Sequence, residues 1–374
     1  TACNKNQDEP QQSETDATIS VAVKSADLRA YEDGAGDADK KVQKLAVMVY
    51  QGGAQVAFKE VTDGSLEVKD IETTAGAKTL VVVANYANQN LKGLSLDKVK
   101  ALTHTLSADD QDPNKGTFML TAEPVAVTLQ KGKNYYGYEA GADNRISVDE
   151  PIELKHIHAG MALTNLTVKF ADSYANLYSV NFKKGELIGL VAKAQSNVFG
   201  ESLVNTNADY FYGVKLFGKT DGKYTPAEAN YKEMAALKMA LTETGAQTGK
   251  GFYVLENNDA KHPTILCLKG ELTQADGTAL TDEQAAQAVD AGWIVSTTDH
   301  STYYPVLVNW EKDGYTFEGT TDKNGIVRNN KYEISLTITG PGTNSPEDPT
   351  AEKANLDVKC TVLPWVIVKQ NVVW

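Results

Sequence analysis

Residues 329–374 read NNKYEISLTITGPGTNSPEDPTAEKANLDVKCTVLPWVIVKQNVVW. Tyr332, Ile334, Leu336 and Ile338 alternate with Glu333, Ser335, Thr337 and Thr339. Gly340-Pro341-Gly342 stops that run. After a loop rich in Pro and Asn, Leu356, Val358, Cys360 and Val362 alternate with Asp357, Lys359 and Thr361. A period of two residues puts alternate side chains on opposite faces, so both runs read as strands with one face on a core. Pro364 breaks the second run. Beyond Trp365, residues Val366, Val368, Val372 and Trp374 alternate with Ile367, Lys369, Asn371 and Val373, with Gln370 the one polar lapse on the more apolar face. A strand so apolar needs a pairing partner, either its own domain or another molecule.

The same grammar extends toward the N-terminus. Ile19, Val21 and Val23 alternate with Ser20, Ala22 and Lys24, a half-buried strand. The stretch SADLRAYEDGAGDADKK, 25–41, reads as an Asp- and Gly-rich loop. Two strands rich in β-branched residues follow, Leu45–Tyr50 and Thr79–Tyr86, the second central to a sheet. Short strands separated by turn residues continue through AVTLQKGKNYYGYEA and ISVDEPIELKHIHAGMALTNLTVKF, the spacing of a β-sandwich. A domain change is expected near Pro151, giving a leader of residues 1–29, a first domain of 30–152 and a second of 153–374. Helices are few. Thr225-Pro226 with Glu228 predicts a capped helix over 225–241, with Tyr231, Met234, Leu237 and Leu241 on one face. Thr281 and Gln284 predict another, and 95–102 a short third.

Composition excludes several function classes. The 374 residues carry a net charge of −13, against a nucleic-acid partner, which needs clustered Lys and Arg. No run of 18 apolar residues offers a membrane-spanning helix. The three cysteines, Cys3, Cys267 and Cys360, form no C-x-x-C pair. Ala2-Cys3 fits the tail of a lipobox, so Cys3 is expected to carry a lipid. Residues 4–17 are polar and acidic and suit a tether between lipid and folded body. Cys267 and Cys360 lie in strand patterns and read as small core residues.

Catalytic and cofactor motifs are weak. GAQTGKG, 245–251, is one residue short of a phosphate loop and has Gly251 where Ser or Thr would hold magnesium. DGAGDAD, 33–39, has Lys44 at the position of the bidentate Glu of a calcium loop. His156 and His158 share one strand face but show no third ligand in sequence, so they read as surface or interface histidines and no metal is expected. His300 is flanked by Asp299 and Ser301, which cannot form a triad with it, and no G-x-S-x-G occurs. No enzyme and no cofactor is expected.

The Ala2-Cys3 start, the order strand–Arg29–acidic loop–strand, and the terminal strand pair together resemble the fimbrillins of Bacteroidales, the FimA/Mfa1-like type V pilus subunits. ISVAVKSADLRA, KLAVMVY, KTLVVVANY, VRNNKYEISLTITGPGTNSPEDP and LDVKCTVLPWVIVKQNVVW carry the likeness, the last two most specifically. It spans nearly the whole chain and is weakest between about 185 and 300. The resemblance implies a mainly β protein of two transthyretin-like β-sandwich domains with a few short surface helices. It also implies a stalk-type pilus subunit, exported to the outer membrane as a lipoprotein on Cys3 and cut between Arg29 and Ala30 by an arginine-specific surface protease. Loss of the strand bearing Ile19, Val21 and Val23 would open a groove. The terminal strand of an identical or related subunit, with Trp365, Val366, Val368, Val372 and Trp374, would fill it. A further partner is an adhesion receptor on host or bacterial cells. The competing reading is an outer-membrane lipoprotein that binds glycans, stacking sugar rings on Trp293, Trp310 and Tyr303-Tyr304.

Overall fold

A computed structural model of the chain describes residues 14–25, 42–87, 89–138, 146, 150–200, 210–215, 231–319, 323–346 and 355–364. The chain divides into two compact units. The first holds β1 (Ala17–Ser25), residues 42–100 and residues 121–154; the second holds residues 101–120 and the chain from 155 onward.

In the first unit, β2 (Leu45–Gln51), β3 (Ala54–Val61), β4 (Glu67–Thr73) and β5 (Gly76–Ala84) follow β1. α1 (Leu96–Lys100), β8 (Val125–Leu129) and β9 (Gly132–Tyr136) also belong to this unit, while β6 (Thr103–Thr105) falls in the second, and β7 (Leu120–Thr121) and β10 (Ile152–His156) each have residues in both. The strand order is β3-β2-β5-β7-β10-β1-β4, with β8 paired to β5 and β9 to β1. Every residue from Leu45 to Tyr50 is buried, as the apolar run requires of a strand covered on both faces. Tyr50 reconciles its hydroxyl with burial by donating to Leu94 O at 3.0 Å.

The second unit adds β11 (His158–Val168), α2 (Asp172–Ala175), β12 (Tyr178–Leu190), β13 (Ala192–Lys193), β14 (Gln195–Asn197), β15 (Tyr210–Tyr212) and β16 (Tyr231–Glu233). It continues through β17 (Lys238–Ala240), β18 (Gly245–Ala246), β19 (Gly251–Leu255), β20 (Ile265–Gln274) and α3 (Asp282–Asp290). It closes with β21 (Ser301–Leu307), β22 (Tyr315–Glu318), β23 (Asn330–Ile338) and β24 (Leu356–Pro364). One sheet runs β18-β11-β23-β24-β22 with β19 also on β11; a second runs β17-β12-β20-β21. The core joins Met161, Leu163, Ile334, Leu336, Val358 and Cys360 of the first sheet with Val180, Leu187, Leu266, Leu268 and Val306 of the second. This is the sandwich that the alternation in 332–338 and 356–362 demands, and all eight of those apolar side chains are buried.

Four sequence readings are corrected. The helix expected over 225–241 is absent from 231–241, where the chain forms β16, a 3-10 turn at Ala235–Leu237, and β17. Residues 225–230 lie outside the described ones. Met239 is instead drawn opposite Leu187, and Leu237 and Leu241 enter the main core, so packing overrides helix propensity. Strand β1 is not half-buried: Ser20 and Ala22 are buried along with Ile19, Val21 and Val23. His156 and His158 are fully buried rather than on a surface. Tyr303 and Tyr304 are buried in β21 and so offer no open ring face to a sugar, whereas Trp293, in T-shaped contact with Tyr174 and Tyr178, and Trp310 are half-buried. The capping box at Thr281 and Gln284 does start α3, and Cys267 and Cys360 are free, buried thiols.

Candidate functional site

The seat of β1 is the candidate site. Along one edge β1 runs antiparallel to β4, with Ala17 opposite Thr73, Ile19 opposite Ile71 and Val21 opposite Val68. Along the other edge it runs parallel to β9, from Ala17 opposite Gly132 to Val21 opposite Tyr136, and then parallel to β10, from Val23 opposite Ile152 to Ser25 opposite Leu154. The strand is thus paired on both edges, and Ile19 and Val21 have no accessible surface.

Polar fittings make the seat specific. The β4 register shifts between Ile19 and Val21, where two residues, Lys69 and Asp70, face Ser20. Such a bulge leaves an extra residue outside the ladder. Asp70 takes φ of 52°, and its N–H donates to Ser20 Oγ at 2.9 Å. Asn134, almost fully buried, donates through Nδ2 to Thr18 O at 3.0 Å, and to Gln130 O and Gly132 O. At Gly137, with φ of +86°, an added Cβ would lie 2.8 Å from Ala22 O, so the backbone approaches β1 at a point where no larger residue fits. Asp16 ties the entrance, accepting from Gly132 N through its carbonyl and from Ala75 N through its carboxylate. Lys24 pairs with Glu150 at 2.7 Å at the exit.

Sequence periodicity finds Ile19, Val21 and Val23; it misses Ser20 and Asn134, whose partners are 50 and 116 residues away. Cys3, Arg29, Ala30 and the residues Trp365, Val366, Val368, Val372 and Trp374 lie outside the described residues. The last described strand, β24, ends at Pro364 between β23, antiparallel, and β22, parallel.

Comparison with known proteins matches the architecture. Residues 17–156 match the family described as major fimbrial subunit protein (FimA), and residues 158–365 that described as the FimA4 pilin C-terminal domain. A major fimbrium subunit FimA type-3 of Porphyromonas gingivalis is 47% identical over 383 residues, covering 100% of this chain and 96% of that protein. A FimA type-4 subunit of the same species is 45% identical, with the same coverage. The crystal structure of a fimbrilin from P. gingivalis W83 superposes with a TM-score of 0.83 at 42% identity, over 96% of this chain and 99% of that one. A putative cell adhesion protein of Parabacteroides distasonis shares the fold, with a TM-score of 0.69 at 23% identity. With both units matched and close to half of all residues identical along the full length, this chain belongs to the FimA family of major fimbrial subunit proteins.

Proposed function

We propose that this chain is a structural, stalk-forming subunit of a cell-surface fimbrium, assembled by exchange of β1 for the terminal strand of a neighbouring copy. One observation carries the reading: β1 is a buried strand paired on both edges, yet only residues 26–41 join it to the rest of its unit. A cut between Arg29 and Ala30 in that link would turn β1 from a covalent part of the sheet into a bound peptide.

Its departure would expose the backbone of β4 on one side and of β9 and β10 on the other, together with the apolar trough that holds Ile19, Val21 and Val23. Two facing rows of unpaired N–H and C=O groups are a template for an incoming strand. Trp365, Val366, Val368, Val372 and Trp374 of a second copy supply apolar side chains at strand spacing. Each buried side chain of this kind contributes about 1.5–3 kcal/mol and each backbone hydrogen bond a net of about 1 kcal/mol. A head-to-tail contact that does not close on itself grows into a filament. Before the cut, β1 competes for its own seat as a tethered segment, at an effective concentration no free neighbour matches. A lipid on Cys3 would hold this uncut form at the outer membrane.

The test is cleavage of the purified chain with an arginine-specific protease, confirmed by mass, followed by electron microscopy. Filaments are expected from the cut protein, none from Arg29→Ala, and none from cut protein lacking residues 365–374. Persistent monomers from protein shown to be cut at Arg29 would refute it.

A further inference from the structure

We infer that the second unit contains a binding site for one divalent transition-metal ion of the zinc class, built from His104, Asp110 and His158. The three side chains come from separate elements. His104 is the middle residue of β6, which pairs with β14. Asp110 sits in the 3-10 turn Ala108–Gln111, where its Oδ2 accepts from Ser107 N at 3.2 Å in a capping box. His158 opens β11, its ring stacked on Phe118 with centroids 4.4 Å apart. One ligand atom from each lies within 4.8 Å of the other two.

The cluster is poorly satisfied by hydrogen bonds alone. Asp110 has no accessible surface, and its Oδ2 draws both His104 Nε2 at 2.7 Å and His158 Nε2 at 3.1 Å. Asp110 Oδ1 and His158 Nδ1 are buried and have no hydrogen-bond partner. Buried polar atoms without partners are rare and destabilising. Two imidazoles and one carboxylate form a donor set typical of zinc, with a fourth position left for water or another ligand. Tetrahedral coordination at about 2.0–2.2 Å separates ligand atoms by about 3.3–3.6 Å, so an ion needs each ring nitrogen to retreat from Oδ2 by less than about 1 Å.

Of the three side chains only His104 has any accessible surface. Occupancy would fasten residues 101–120 to the start of β11 within the second unit.

The experiment uses the full chain without a tag, stripped with a chelator and titrated with Zn²⁺ by calorimetry, with Co²⁺ as an optical probe. One equivalent of Zn²⁺ per chain, a tetrahedral Co²⁺ absorption and a raised melting temperature are expected. His104→Ala, the most accessible of the three and the least disruptive to folding, should weaken binding by more than the about 10–100-fold typical of outer-shell changes. Asp110→Asn should do the same, while His262→Ala and His300→Ala leave it unchanged. No stoichiometric binding by the wild-type chain, or binding that persists in folded His104→Ala and Asp110→Asn, would overturn the inference.

Discussion

Replacing Ile19 by Ala should loosen β1 in its seat and speed assembly after cleavage. Ile19 has no accessible surface and faces Ile71 across the β4 pairing. Truncating a buried isoleucine to alanine removes about 2–5 kcal/mol, the lost transfer energy plus the cavity left behind. In the uncut chain that loss falls on the stability of the first unit. After a cut at Arg29, β1 is a separate peptide and the same loss falls on its affinity. At 1.4 kcal/mol per factor of ten, β1 should bind roughly 25- to 4000-fold more weakly. If departure of β1 limits exchange, polymerisation should accelerate by a large part of that factor. The assay follows light scattering after cleavage and, in parallel, uses mass spectrometry to measure the β1 fragment retained by sedimented protein. Uncut Ile19→Ala should remain monomeric and folded by circular dichroism. Equal fragment retention and equal polymerisation rates for cut wild type and cut Ile19→Ala would refute the displacement argument, even if filaments form.

Asn134→Ala should destabilise the uncut first unit by about 1–3 kcal/mol, because it strips hydrogen bonds from Thr18 O and from the Gln130–Gly132 turn; urea unfolding measures this. Thr281→Ala should lower stability by about 0.5–2 kcal/mol through loss of the α3 cap that receives Gln284 N, and Thr281→Ser should restore most of it in the same measurement. Alkali should unfold the protein cooperatively. Burial pushes Tyr315 up to about 12 and raises Tyr303 and Tyr304 further, so the folded state holds phenolic protons that the unfolded chain releases near pH 10. Their contribution is fully present below pH 10 and is lost as pH rises through the folded values. Phenolate absorbance from these residues should therefore appear together with loss of the circular dichroism signal, and Tyr315→Phe should shift that transition to higher pH.

Much of the fold is legible in the sequence because a strand's two-residue period records which side chains meet a core. The alternation in 332–338 and 356–362 marks the buried faces of β23 and β24, and the Thr281–Gln284 spacing marks the start of α3. These are local constraints, imposed by neighbours a few residues away. What periodicity cannot report is which distant segment covers the other face. Ser20 and Ala22 look solvent-facing by pattern, yet the bulge at Asp70 and the close approach of Gly137 enclose them. Segment 231–241 has a helical pattern, yet Leu237 and Leu241 gain more from the main core than a helix would provide, and the backbone pairs with β12 instead. His158 shows no ligand partner along the chain because His104 and Asp110 stand 54 and 48 positions earlier, brought alongside only when residues 101–120 join the second unit. The sequence alone thus determines which stretches are strands and which of their faces are apolar. Tertiary structure alone decides what covers β1 and what surrounds Asp110, because such contacts depend on closing long loops, and loop closure leaves no period in the chain.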